Sequence, residues 1–268
     1  MKTIIAPTDF SEVSLNAVNY AADMAAHLDA KLLLFHVATI TTSAVPEFPI
    51  SNVTFLNPNS ERQLFELQAR ILKRTNNAIV VETEYVVGNV SYELKDVCSR
   101  VNPFAIVMAT NSYSLVDRLL FGSTTIYSVT HLPFPVLVVP AKAIYKAVKK
   151  IGYATDLRGI YSVPLEELKT IMNAFDASLH VVHVDTGNED ASISATEKTL
   201  LQYRLKEFNI SYCVIKDQSV DKGLERFADD NSIDLMLLMP KKHGFLHKSR
   251  CKQAMLHLAV PSMTIHEE

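Results

Sequence analysis

Two aspartates occupy positions where chemistry is expected in a chain of alternating strands and helices. Asp9 lies in Ala6-Pro7-Thr8-Asp9-Phe10-Ser11, and Asp156 follows Ala154-Thr155. Each ends an apolar, strand-like run. A short carboxylate there either hydrogen-bonds the start of the next helix or faces a ligand at the carboxyl end of the sheet. For Asp9 both roles stand, whereas the surroundings of Asp156 favour a helix cap. Gly122-Ser123-Thr124-Thr125 opens a helix-like stretch. It offers amides and hydroxyls to an anion, or serves as a turn and cap. His243, His247 and Cys251 recur every four residues. On one helix they would share a face able to hold a metal, although Gly244 interrupts that helix. Lys241, Lys242, Lys248, Arg250 and Lys252 make the same segment basic. It suits an acidic ligand or, more plainly, a solvated face. His36, His131 and His183 read as structural. No nucleophile elbow, Cys-x-x-Cys pair or paired-carboxylate signature is present.

The elements that would position these residues come in two copies. Residues 4–37 align without a gap on 151–184, with Ile4/Ile151, Thr8/Thr155, Asp9/Asp156, Asp29/Asp176, Ala30/Ala177, Leu32/Leu179, His36/His183 and Val37/Val184 identical. His131-Leu132-x-x-Pro135 matches His257-Leu258-x-x-Pro261, and Val90/Leu94/Val97 matches Val220/Leu224/Phe227. Such spacing describes a tandem duplication. In the first copy, apolar runs predict strands at 2–8, 31–38, 79–86, 104–110 and 135–140. Their continuity suits parallel strands buried on both faces. Val13, Ala17, Ala21, Met24 and Leu28 recur at helical spacing after Ser11, a cap flanked by Phe10 and Leu15 as a hydrophobic staple. Ser60-x-x-Gln63 reads as a capping box before Leu64, Leu67 and Ile71, and Val90, Leu94, Val97 and Val101 mark a third helix. Residues 39–59 contain three prolines without a period and predict a surface loop. The expected fold is α/β: two tandem doubly wound domains, 1–143 and 147–268, each a five-stranded parallel sheet flanked by helices.

Composition narrows the function. Residues 1–145 carry 10 basic and 12 acidic side chains and the remainder 16 and 17, so neither half is a nucleic-acid footprint. No apolar run reaches the roughly 18 residues of a membrane span, so no membrane association is expected. The chain begins at once with a strand-like run, Lys2–Ala6, which leaves no secretory signal. Cys98, Cys213 and Cys251 lie far apart and suit reduced thiols. The cytoplasm is the expected location.

The stretches "IIAPTDFSEVSLNAVNYAADMAAHLDAKLLLFHV" and "IVMATNSYSLVDRLLFGSTTIYSVTHLPFPVLVVP" resemble the universal stress protein family in its tandem two-domain form. The resemblance implies an adenine nucleotide alpha hydrolase-like sheet with strand order 3-2-1-4-5. Nucleotide-binding members carry Gly-x2-Gly-x9-Gly-Ser/Thr after the fourth strand. By that resemblance the nucleotide-site positions are Pro7, Thr8, Asp9, Val37, Met108, Ala109, Asn111, Ser112, Gly122, Ser123 and Thr124. The first two glycines are replaced by Ala109 and Ser112, and only Gly122-Ser123 survives. Glycine permits positive φ and close approach of backbone to phosphate, so these changes erode the site. The second copy has Met239 at the first position and no glycine pattern. The family reading is therefore a non-catalytic stress-response regulator or adaptor with a degenerate nucleotide site in the first domain. The alternatives are an ATP-binding sensor with slow or no hydrolysis, with Mg²⁺ accompanying ATP, and a small-ligand or metal-binding module built on the second domain. The resemblance also implies that the two domains pair through the strands at 135–140 and 261–266. A homodimer or an unidentified protein partner would be added to that pairing.

Overall fold

The computed structural model describes residues 1–42, 53–55, 59–110, 123–157, 161, 163–187, 191–208, 210–240, 253–255 and 258–266. The chain forms two compact units, Met1–Met108 and Ala109–Glu268.

The first unit runs β1 (Thr3–Pro7), α1 (Glu12–Leu28), β2 (Lys31–Ala38), β3 (Ile40–Thr42), β4 (Val53–Phe55), α2 (Ser60–Arg74), β5 (Val81–Val87), α3 (Val90–Val101) and β6 (Ala105–Ala109), whose last residue falls across the unit boundary. The main strands lie in the order β5-β2-β1-β6, all parallel. Ile4, Ile5, Ala6, Leu32 and Leu34 are buried, as expected of strands covered on both faces. The α1 stripe of Ala17, Val18, Ala21, Met24 and Ala25 is buried too. Small residues dominate it, and they let a helix lie close to a sheet. Ser11 caps α1 by accepting from the Ser14 amide. The helix ends on Asp29 in the left-handed conformation, φ 48°, a position asparagine and aspartate tolerate better than most residues.

The second unit contains α4 (Ser123–His131), β7 (Val136–Val139), β8 (Lys150–Ala154), α5 (Leu165–Phe175), β9 (Ser178–Asp185), α6 (Ala191–Arg204), β10 (Ile210–Lys216), α7 (Val220–Asn231), β11 (Leu235–Leu238) and β12 (Ser262–Thr264). Strands β10-β9-β8-β11-β12 are parallel in that order, which is 3-2-1-4-5 for the second copy. The closing strand of the first copy, β7, runs antiparallel beside β12, with Ser262 opposite Val138 and Met263 opposite Leu137. The Val136 amide donates to Thr264 Oγ1 at 2.9 Å. Tyr153, Phe175, Phe227 and the whole of β11 are buried.

Three local expectations are corrected. Residues 39–59 are not all loop: β3 and β4 pair antiparallel, Ile40 with Phe55 and Thr42 with Val53. Ser60 is not an N-cap. It is the first residue of α2 and buried, and its neighbour Asn59 holds the cap position without a side-chain hydrogen bond to the helix amides. Asp156 does not cap α5, which starts at Leu165, nine residues beyond it and directly behind Pro164.

Candidate functional site

The loop after β1 closes on itself through side chains. Ser11 donates to Asp9 Oδ1 twice, from its amide at 3.0 Å and its hydroxyl at 2.6 Å. This is an Asx turn, in which a short carboxylate stands in for a turn carbonyl. Thr8 Oγ1 accepts from the Phe10 amide at 3.0 Å and lies 3.1 Å from Ser14 Oγ, while Ser14 Oγ donates to the Ser11 carbonyl at 3.0 Å. Phe10 sits between these bonds with φ 64°, a conformation strained for an aromatic residue. Its ring packs on His36, centroids 4.6 Å apart, and Tyr85 also stacks on His36 at 5.9 Å. Burial alone would raise the Asp9 carboxyl. Hydrogen bonds from the Ser11 and Ser14 hydroxyls and the Ser11 amide outweigh it and hold Asp9 below its ordinary value.

The second copy reproduces the frame of this loop but not its polar face. Leu157 takes the place of Phe10 with φ 59°, and its amide donates to Thr155 Oγ1 at 3.1 Å. His183 Nδ1 lies 2.9 Å from the Thr155 carbonyl, as His36 Nδ1 lies 2.7 Å from the Thr8 carbonyl. Thr8 N donates to the Phe35 carbonyl and Thr155 N to that of Val182. Asp156, however, is 1% exposed, whereas Asp9 is open to solvent. A buried carboxylate cannot meet a ligand from solution without rearrangement, so the equivalence of Asp9 and Asp156 ends at their backbone position.

A sequence profile described as the universal stress protein family matches residues 1–140. The chain belongs to the universal stress protein family. A universal stress protein of Methanocaldococcus jannaschii is 26% identical over 140 residues, covering 52% of this chain and 81% of the relative. The fold extends over both copies. The crystal structure of a universal stress protein from Archaeoglobus fulgidus superposes with a TM-score of 0.71 at 15% identity, covering 99% of this chain and 96% of the other. A putative universal stress protein from Pseudomonas aeruginosa gives 0.65 at 12% identity over 100% and 94%.

The universal stress protein pattern distributes its positions over this chain as follows. Pro7 ends β1 opposite Phe35, Thr8 and Asp9 form the closed turn, and Val37 lies near the end of β2 opposite Val86. These four belong to the first unit, as does Met108, near the end of the strand beside β1. Ala109 belongs to the second unit, where its carbonyl accepts from Thr125 Oγ1 at 3.2 Å. Ser123 and Thr124 open α4. Asn111, Ser112 and Gly122 lie outside the described residues, as do His243, His247 and Cys251 of the metal reading and the basic segment around them. Among the described residues there is no group of three or more metal-ligating side chains, and no helix is long and apolar enough to cross a membrane. Sequence reasoning missed the part of Ser14, whose hydroxyl joins the Thr8 bond to the helix cap. The Ser-x-x-Ser spacing of 11 and 14 was its only signal.

Proposed function

We propose that this protein is a non-catalytic stress-response regulator or adaptor whose first copy carries a degenerate nucleotide site. The observation that carries this reading is the closed β1 loop. Asp9 and Thr8, the polar groups the family places near a nucleoside, are already engaged by Ser11, Phe10 and Ser14. A ligand would have to replace those bonds, and each exchange gains little. Ala109 and Ser112 add Cβ atoms where nucleotide-binding members have glycine. In the second copy the matching aspartate is buried. The antiparallel pairing of β7 with β12 supports intramolecular association of the copies, leaving the outer surface for a cytoplasmic protein partner or a second chain.

One observation favours the ATP-sensor reading. Gly122 directly precedes the first turn of α4, where free amides suit a phosphate. If ATP binds, Gly122, Ser123 and Thr124 would hold its phosphates, with Mg²⁺ accompanying them. Calorimetry with Mg-ATP on the full chain and on Gly122→Val separates the two readings. The adaptor reading expects no saturable heat from either protein. Saturable heat that vanishes in the variant establishes the sensor.

A further inference from the structure

Register brings together a cluster at the amino ends of β8, β9 and β10, the opposite end of the strands from the β1-type loops. His180 lies beside Ser211 across β9–β10, and Ser178 lies beside Lys150 across β8–β9. Side chains two apart on a strand share a face, so Ser178 and His180 point the same way. His180 Nε2 is 2.9 Å from Ser178 Oγ, and His180 Nδ1 is 2.7 Å from Ser211 Oγ. With the proton on Nδ1, the ring donates to Ser211 and accepts from Ser178, which satisfies both bonds. Ser178 Oγ also lies 3.2 Å from the Lys149 carbonyl, a longer and therefore weaker alternative. Both serines are exposed and His180 is half-buried.

The first copy differs at these positions. The same register positions hold Lys31 and Glu82, joined by an ion pair of 2.8 Å, with Leu33 in the place of His180. Where the first copy has an ion pair, the second has a neutral Ser–His–Ser chain flanked by an exposed lysine.

The geometry points to Ser178 as a self-acylating nucleophile, with His180 as its general base, Ser211 as the positioning residue and an acyl phosphate as the acyl donor. A hydroxyl at hydrogen-bond distance from an imidazole that a third group orients is the arrangement that activates serine. Burial and the charge of Lys150 lower the pKa of His180, so the ring is neutral and able to take a proton at neutral pH. Ser178 Oγ attacks the acyl carbon, the proton passes to His180 Nε2, and the carbon–oxygen bond to phosphate breaks. The phosphate leaves with the electron pair, and the product is an O-acyl Ser178. Lys150 stands opposite Ser178 in the strand register and bonds the Asn231 carbonyl through Nζ at 3.0 Å; its charge would favour an anionic leaving group. The Asp234 carboxylate is occupied by the amides of Lys149 and Lys150.

The test is incubation of the full chain with acetyl phosphate, with an aryl acetate as neutral donor, followed by intact-mass analysis and peptide mapping. One acetyl group on Ser178 is expected, and none in Ser178→Ala. His180→Gln should slow labelling about 100-fold or more, the usual contribution of a general base. Ser211→Ala should slow it, and Ser211→Thr should restore it. Lys150→Met should slow the acetyl phosphate reaction while sparing the aryl ester. All variants are checked for native circular dichroism. Acetyl groups on lysines alone, or equal rates in wild type and His180→Gln, would overturn the assignment.

Discussion

His36 donates through Nδ1 to the main-chain carbonyl of Thr8 at 2.7 Å, tying the end of β2 to the loop that follows β1. A carbonyl can only accept, so this bond places a proton on Nδ1. His183 and Thr155 repeat the bond in the second copy at 2.9 Å. The two copies share this clamp even where their polar loops have diverged, which marks the histidines as structural.

Replacing either histidine should therefore cost stability. His183→Ala leaves a buried carbonyl without its donor, and His183 is only 1% exposed. Loss of about 1–3 kcal/mol is expected for the stranded acceptor, with a further loss for the cavity. Urea unfolding read by circular dichroism measures it. His36→Ala should behave similarly but lose less to cavity formation, because its site is less enclosed. Unchanged midpoints would contradict the clamp.

The strained backbone at Phe10 gives a second prediction. Phe10→Ala loses the ring contact with His36 and keeps a Cβ in the left-handed region. Phe10→Gly loses the same contact and releases the strain. The glycine variant should be more stable than the alanine variant by about 1 kcal/mol. The reverse order would show that the left-handed turn costs nothing here.

Two carboxylates should respond to pH with opposite sign. Asp9 is held below its ordinary pKa, so its charge stabilises the fold above the unfolded value near 3.9, and that share disappears as pH falls through the lower folded value. Asp9→Asn should lower stability at neutral pH and converge with wild type in acid. Glu167 is pushed up by burial, against the bond it accepts from the His266 amide at 2.8 Å. Its share of stability is present below the unfolded value and is lost as pH rises through the raised folded value. Glu167→Gln should gain stability at neutral pH and match wild type in acid. Denaturant midpoints from pH 3 to pH 7 report both trends.

The parallel strands were legible because long apolar runs of Ile, Leu and Val have few other uses, and the matching loops after β1 and β8 because Thr8, His36 and their counterparts Thr155 and His183 keep fixed spacing. The β3–β4 hairpin was not legible: three residues such as Ile40-Thr41-Thr42 are too short for a period, and the surrounding prolines pointed to loop. The burial of Asp156 was hidden because it depends on what covers the loop rather than on the residue. The Ser178–His180–Ser211 chain escaped for a similar reason. Ser211 is 31 residues from His180 and meets it only through strand register. At the candidate site, sequence found Asp9 and Thr8 but could not show that their hydrogen bonds were already taken.

The most direct test of a degenerate first-copy site is calorimetric titration of Mg-ATP into wild type and into Ala109→Gly/Ser112→Gly, which restores the family glycines. The account predicts no saturable heat for wild type and a gain of binding in the double variant. Saturable binding of Mg-ATP to the wild-type chain, unchanged by the added glycines, would contradict it.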